Sequence, residues 1–238
     1  MSGDALLSYL SVLQLADSAF PSGRYTLSYG LEAVAQDGHL GTRGRRTALT
    51  RLLADAVRFG VGPSDGAAIA CVHRAVDSHG RVDWDAIFRV ENRLTAIKLP
   101  AEARYASTRT GRALLLTASA MLDEPVVADY AHRADTGRAE GHHATAFGLI
   151  TAVLGVPMLS AVAGELYAFS SGLVSASVRL GLADHRAAQH ILHRARPVIA
   201  AAAREAAGRT VAQISSSTPF LDVMSMRHEQ AELRLFAS

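Results

Sequence analysis

The sequence predicts an all-α fold, a single orthogonal bundle of about nine or ten helices, on three observations. Apolar residues recur at helical spacing along almost the whole chain. No run of four or more residues alternates cleanly between apolar and polar within turn-forming boundaries. The β-branched residues are scattered among many alanines, which favour helix.

The elements follow in order. Asp4 is a good N-cap for a helix carrying Leu6, Leu7, Leu10, Val12 and Leu13, and the turn-forming run 18–23 ends it. Leu49, Leu52, Leu53, Ala56 and Val57 form the next apolar stripe. Gly60-Val61-Gly62-Pro63 is expected to close it, with Ser64 or Asp65 capping a further helix through Ile69 and Val72. Asp83 caps a helix with Trp84, Ile87, Phe88 and Leu94. Leu99-Pro100 interrupts the pattern, and 101–121 reads as another helix. Beyond Asp123-Glu124-Pro125, helices are expected at 126–134, 142–154, 158–181, 184–204 and 221–235. Neither an internal repeat nor a low-complexity linker divides the chain.

Composition excludes several classes. A chain of 238 residues, 49% apolar, buries roughly 70% of its unfolded surface and supports a full core without disulfides or structural metal. Cys71 is the only cysteine, which excludes an internal disulfide framework and thiolate zinc clusters; a reducing cytoplasm is the simplest home. The basic count of 24 against 22 acids gives a net charge of +2, and Lys98 is the only lysine. It lies in Ala96-Ile97-Lys98-Leu99-Pro100, so no P-loop exists, and no glycine-rich phosphate cup supports a pyridoxal-phosphate Schiff base. The first residues carry Asp4 where a signal peptide carries positive charge, and no export is implied. Residues 141–164 are long enough for a membrane span, but four glycines, Pro157, His142 and His143 point instead to a buried helix pair split at Gly155-Val156-Pro157.

Catalytic and metal patterns are weak. Glu140-x-x-His143 and Asp129-x-x-His132 mimic half of a di-iron bundle, but Gly137 and Gly141 break the intervening helix, so these read as helix-end residues. His142 and His143 are expected at a solvent-exposed helix N-terminus. His190 and His193 share a helix face, and His185 does not join them. His228-Glu229 lacks the second histidine of a zinc protease, and no nucleophile elbow or dinucleotide fingerprint is present. No catalytic, cofactor-binding or metal residue is therefore assigned. Arg43, Arg45, Arg46 and Arg51 form the densest basic cluster, without the aromatic interleaving that nucleic-acid binding favours.

The last residues carry more. Thr218 and Pro219 make a good helix start, and Leu221, Met224, His228, Ala231 and Leu235 fall at intervals of three and four. Phe220, Leu233 and Phe236 stand outside that seam. The helix can close the parent core or dock a partner by its apolar face. The expected division is an all-α domain over 1–219 and a partner-docking segment over 220–238.

Two terminal segments resemble a known family. The run 13–32, Leu-Gln-Leu-Ala-Asp-Ser-Ala-Phe-Pro-Ser-Gly-Arg-Tyr-Thr-Leu-Ser-Tyr-Gly-Leu-Glu, is similar to the N-terminal signature of the urease accessory protein UreF family. The tail, Met226-Arg227-His228-Glu229 followed by Arg234-Leu235-Phe236-Ala237-Ser238, resembles its C-terminal signature. Glu102-Ala103-Arg104 with Ser107 and Gly111, His143 with Gly148, and Val178-Arg179-Leu180 resemble weaker internal blocks. The resemblance implies a dimerising all-α protein with no enzymatic activity and no cofactor. Such a protein would act as a scaffold in nickel insertion, recruiting the nickel-carrying GTPase UreG and joining it to UreD/UreH, which contacts apo-urease. It further implies partner-binding roles for Tyr25, Tyr29, Glu32, Leu166, Tyr167, Leu221, Met224, His228, Glu229, Arg234, Leu235 and Phe236. Within these, Tyr25 and Arg234 order the tail against UreD/UreH, and the helix with Leu166 and Tyr167 carries dimer and GTPase contacts.

The chain departs from the family at Arg24, where a glycine or small residue is common, and across 183–189. Leu233 also replaces the usual aromatic before Arg234, and the tail ends without the common extra basic residue. Two other readings remain open: a GTPase-activating or fidelity factor that contributes an arginine, and a helical DNA-binding regulator using Arg43 to Arg51.

Overall fold

A computed structural model describes residues 4–41 and 43–229. Helix α1 (Ala5–Ala16) begins where the Asp4 carboxylate accepts the Leu6 amide at 2.9 Å. A 3₁₀ turn (Arg24–Thr26) leads to the short α2 (Leu31–Gln36), entered through positive φ at Tyr29 and Gly30. Then come α3 (Arg45–Asp55), a π-helical stretch (Ala56–Gly66) and α4 (Ala67–Arg74), followed by α5 (Trp84–Ile97), capped by Asp83, and α6 (Ala101–Met121). The chain continues through α7 (Pro125–Asp135), α8 (His143–Val153), α9 (Met158–Arg179), α10 (His185–Ala207), capped by Asp184, and α11 (Pro219–Glu229). Because α3 runs unbroken through the π stretch into α4, the described residues form ten rods, and they contain no β-strand. The fold is an all-α helical bundle, as expected.

The short α2 has no counterpart among the expected helices, and one expected boundary also differs. Gly60-Val61-Gly62-Pro63 does not close a helix; the backbone widens there and continues. A Cβ at Gly62 would lie 2.5 Å from the Val57 carbonyl oxygen, so only glycine fits inside the wide turn. The Phe59 and Pro63 carbonyls accept the amides of Ser217 and Ser215 at 2.8 and 3.1 Å, so the segment before α11 satisfies the widened stretch. Sequence pattern reads Gly-x-Gly-Pro as a stop because it cannot see that distant partner.

Helices α4 and α8 form the centre. Residues 67–72 and 143–151 are buried without exception, and α5, α6, α9 and α10 pack around them. The run 141–164 is the buried helix pair expected, split between α8 and α9. None of the described helices is long and apolar enough to cross a membrane. The residues 230–235 of the expected last helix lie outside the described residues.

Candidate functional site

His142 and His143 stand at the start of α8, but both are buried, at 0% and 5% exposure, rather than facing solvent. The cause is the crossing of α6 over the N-terminus of α8. A Cβ at Gly111 would lie 2.1 Å from the Gly141 carbonyl oxygen and 2.6 Å from His143 N, so the bare glycine lets the two backbones meet. The buried His142 ring then lies 2.9 Å from Thr95 Oγ1 and 3.0 Å from Ser107 Oγ. Burial, and the nearby Lys98 charge, push its pKa down to about 3.

The amides of that helix start, which lack intrahelical partners, are taken up by Glu91 of α5. Its carboxylate accepts the amides of Glu140 and Gly141 at 3.0 and 2.7 Å, and the hydroxyls of Tyr130 and Thr145 at 2.5 and 3.2 Å. This anion at a helix N-terminus offsets the dipole and satisfies donors that solvent cannot reach. Burial, and the adjacent carboxylate, push the Tyr130 hydroxyl far above its ordinary value.

Beside this layer lies a cavity of about 190 Å³, lined by residues of the N-terminal turn, the π stretch, α6, α9 and α11. Two ion pairs stand in its wall. Arg24 Nη1 and Nη2 donate to Glu165 Oε2 and Oε1 at 2.7 and 2.8 Å, a two-pronged grip, with His143 Nε2 at 3.1 Å from Nη1. Burial works against both charges, but Glu165 and Tyr29 hold the guanidinium above its usual value. Arg24, with His143, likewise holds the Glu165 carboxylate below its usual value despite burial. The second pair is Lys98 Nζ with both Asp65 oxygens, at 3.0 and 2.9 Å. Burial raises and Lys98 lowers the Asp65 carboxyl, and the lowering wins.

The implied partner residues fall into three places. Tyr25 is exposed, with the Arg179 guanidinium 4.3 Å above its ring. Tyr29 is half-buried, packed on Phe169 at 4.6 Å between ring centroids. Leu166 is fully buried in α9, whereas its neighbour Tyr167 is exposed. The third place gathers α2, α6 and α11. Buried His228 lies with Nε2 2.9 Å from Glu32 Oε2 and Nδ1 3.0 Å from Glu102 Oε2, and the Glu229 carboxylate accepts the Glu102 amide at 2.8 Å. Met224 is buried beside them and Leu221 half-buried. Arg234, Leu235 and Phe236 lie outside the described residues.

Sequence reasoning missed Glu165, Asp65 and Glu91 as members of a site, and treated Arg24 only as a departure. One signal was available for Glu165: it is the single charged residue between Met158 and Val178. A lone acid in an apolar helix needs a buried partner. For Glu91 no comparable local signal exists. Among the described residues, no cluster of three or more histidine, cysteine or carboxylate side chains is placed to hold a metal ion.

The chain resembles known proteins along its whole length. The family model UreF matches residues 45–196. The urease accessory protein UreF of Trichodesmium erythraeum (strain IMS101) is 31% identical over 230 residues, covering 96% of each chain. That of Arthrobacter sp. (strain FB24) is 30% identical with the same coverage. That of Granulibacter bethesdensis (strain ATCC BAA-1260 / CGDNIH1) is 33% identical, covering 100% of this chain and 96% of its own. A family model spanning well over half the chain, with relatives that match it almost end to end, leaves one conclusion: the chain belongs to the urease accessory protein UreF family.

Proposed function

We propose that this protein is a non-catalytic scaffold of urease maturation, bridging the GTPase UreG to UreD/UreH so that nickel, as cargo, reaches apo-urease. The observation that carries the reading is the two-faced placement of α11. One face, with Met224 and His228, is seated on α2 and α6, while Phe220, Val223 and Met226 are 43, 50 and 38% exposed on the other. A terminal helix that keeps an apolar face in solvent suits helix docking onto another polypeptide. Residues 220–238 are the docking segment and 1–219 the domain that presents it. Arg234, Leu235 and Phe236 belong to that segment, and Tyr25, exposed in the N-terminal turn, adds a further partner contact.

Self-association in the cytoplasm completes the reading. Helix α1 has no charged residue between Asp4 and Asp17, and Leu6, Leu7, Tyr9, Leu10 and Leu13 are all about half or more exposed. Such a face, with Tyr167 exposed on the neighbouring α9, suits a homodimer contact in which Leu166 acts from behind as packing.

The test is co-expression with UreD/UreH and UreG, with and without residues 220–238. Loss of UreD/UreH from the purified complex on truncation is the expected outcome. Co-purification that survives the truncation refutes the docking role.

A further inference from the structure

Helix α11 is tied down mainly by polar contacts. Apart from Met224, none of its apolar side chains is fully buried. Its hold comes from Arg227 paired with Asp37, from His228 between Glu32 and Glu102, and from Glu229 on the Glu102 amide. The central helices bury entire apolar runs instead. Elements with little apolar burial lie at the low end of local stability and open before the core does.

What α11 covers is specific. Leu221, Asp222 and Ser225 line the same cavity as Asp65 and Lys98. Asp222 is close enough to Lys98 to feel its charge, although burial still leaves the Asp222 carboxyl above its ordinary value. At its inner side the helix rests on Gly30, where a Cβ would lie 2.9 Å from Ser225 Oγ.

We propose that α11 is a releasable strap over the Asp65–Lys98 cavity, pinned by the imidazole of His228 between Glu32 and Glu102, and that its seating governs solute access to that cavity. The strap detaches as a unit while the rest of the bundle stays folded. A polypeptide that grips Phe220, Val223 and Met226 then controls the cavity as well; only that last step rests on the scaffold reading, and the strap itself is a property of the isolated chain.

The chain contains one lysine and one cysteine, which makes the test direct. Lys98 lies under the strap with 16% side-chain exposure, and Cys71 is buried away from it in α4. Acylation of Lys98 by a water-soluble active ester and alkylation of Cys71 by a maleimide are followed by peptide mass spectrometry. The proteins are the full-length parent, His228→Ala and the milder Glu102→Gln. The expected result is Lys98 acylation faster by about tenfold or more in His228→Ala, as loss of about 1.4 kcal/mol of hold would give. Glu102→Gln should show a smaller rise, with Cys71 unchanged in both. Parent-like Lys98 rates in both variants overturn the proposal. So does an equal rise at Lys98 and Cys71, because α11 would then open only with the whole fold. A chain that loses UreD/UreH on truncation yet shows no labelling change overturns the strap and leaves the scaffold reading standing.

Discussion

Arg24 and Glu165 are 141 positions apart in sequence and form a two-pronged ion pair whose side chains are only 15 and 4% exposed. Arg24 is thus the counterion of the one acid in α9, a helix whose only other charge is Arg179 at its C-terminal end. A buried charge that keeps its partner is tolerated; one that loses it is not.

Replacing either member alone therefore destabilises strongly. Arg24→Met or Glu165→Gln should cost about 3–5 kcal/mol in urea unfolding, and Arg24→Met combined with Glu165→Leu should recover most of it. Single-variant losses below about 1 kcal/mol would mean that the pair behaves like an exposed one.

Acid sensitivity follows from two histidines shielded from solvent, the buried His142 and the half-buried His73. Their folded-state values are pushed down from 6.5 to about 3 and about 4, by burial first and by Lys98 and Arg74 next. Below pH 6.5 the unfolded chain gains protons that the folded chain refuses, so stability falls as pH drops from 6.5 towards those values. The slope approaches about 1.4 kcal/mol per pH unit for each histidine. Glu165 and Asp65, whose folded values are depressed, stabilise above the ordinary carboxylate range and add a second decline at more acid pH. His142→Gln should remove about one histidine's share of the first slope in pH-resolved unfolding curves. An unchanged slope contradicts the assignment.

Gly111→Ala drives a methyl group into the backbone of Gly141 and His142. The helices α6 and α8 must separate, at a cost of about 3 kcal/mol. For a chain of this length that lowers the melting temperature by about 6–12 °C, measurable by circular dichroism. A shift of a degree or two would show that the crossing is not as tight as described.

Tyr130→Phe removes only the hydroxyl that Glu91 accepts at 2.5 Å. Leaving the buried carboxylate one donor short should cost about 1.5–3 kcal/mol. In an alkaline absorbance titration the parent should show one tyrosine that ionises only when the protein unfolds, and the variant should lack it. Ordinary titration of all tyrosines in the parent contradicts the buried contact.

Much of the fold was legible because helix limits are written locally. Asp4, Asp83 and Asp184 cap where their side chains reach the next amides, and Pro100, Pro125 and Pro157 mark starts that the structure keeps. The one misread boundary, Gly60 to Pro63, depends on Ser215 and Ser217, about 150 positions away in sequence. The exposure expected for His142 and His143 failed for a similar reason: a polar pair after a glycine looks like a solvated helix start unless α6 is known to lie across it.

By itself, then, the sequence determined the all-α class, most of the helices, though not the short α2, and the family, since caps, breakers and apolar period act within one or two turns. The tertiary structure alone decided which polar side chains meet: Arg24 with Glu165, Lys98 with Asp65, and His228 between Glu102 and a glutamate 196 residues away. Burying a charge is unfavourable unless a counter-charge arrives in the same place, and only the packing of remote helices brings it there.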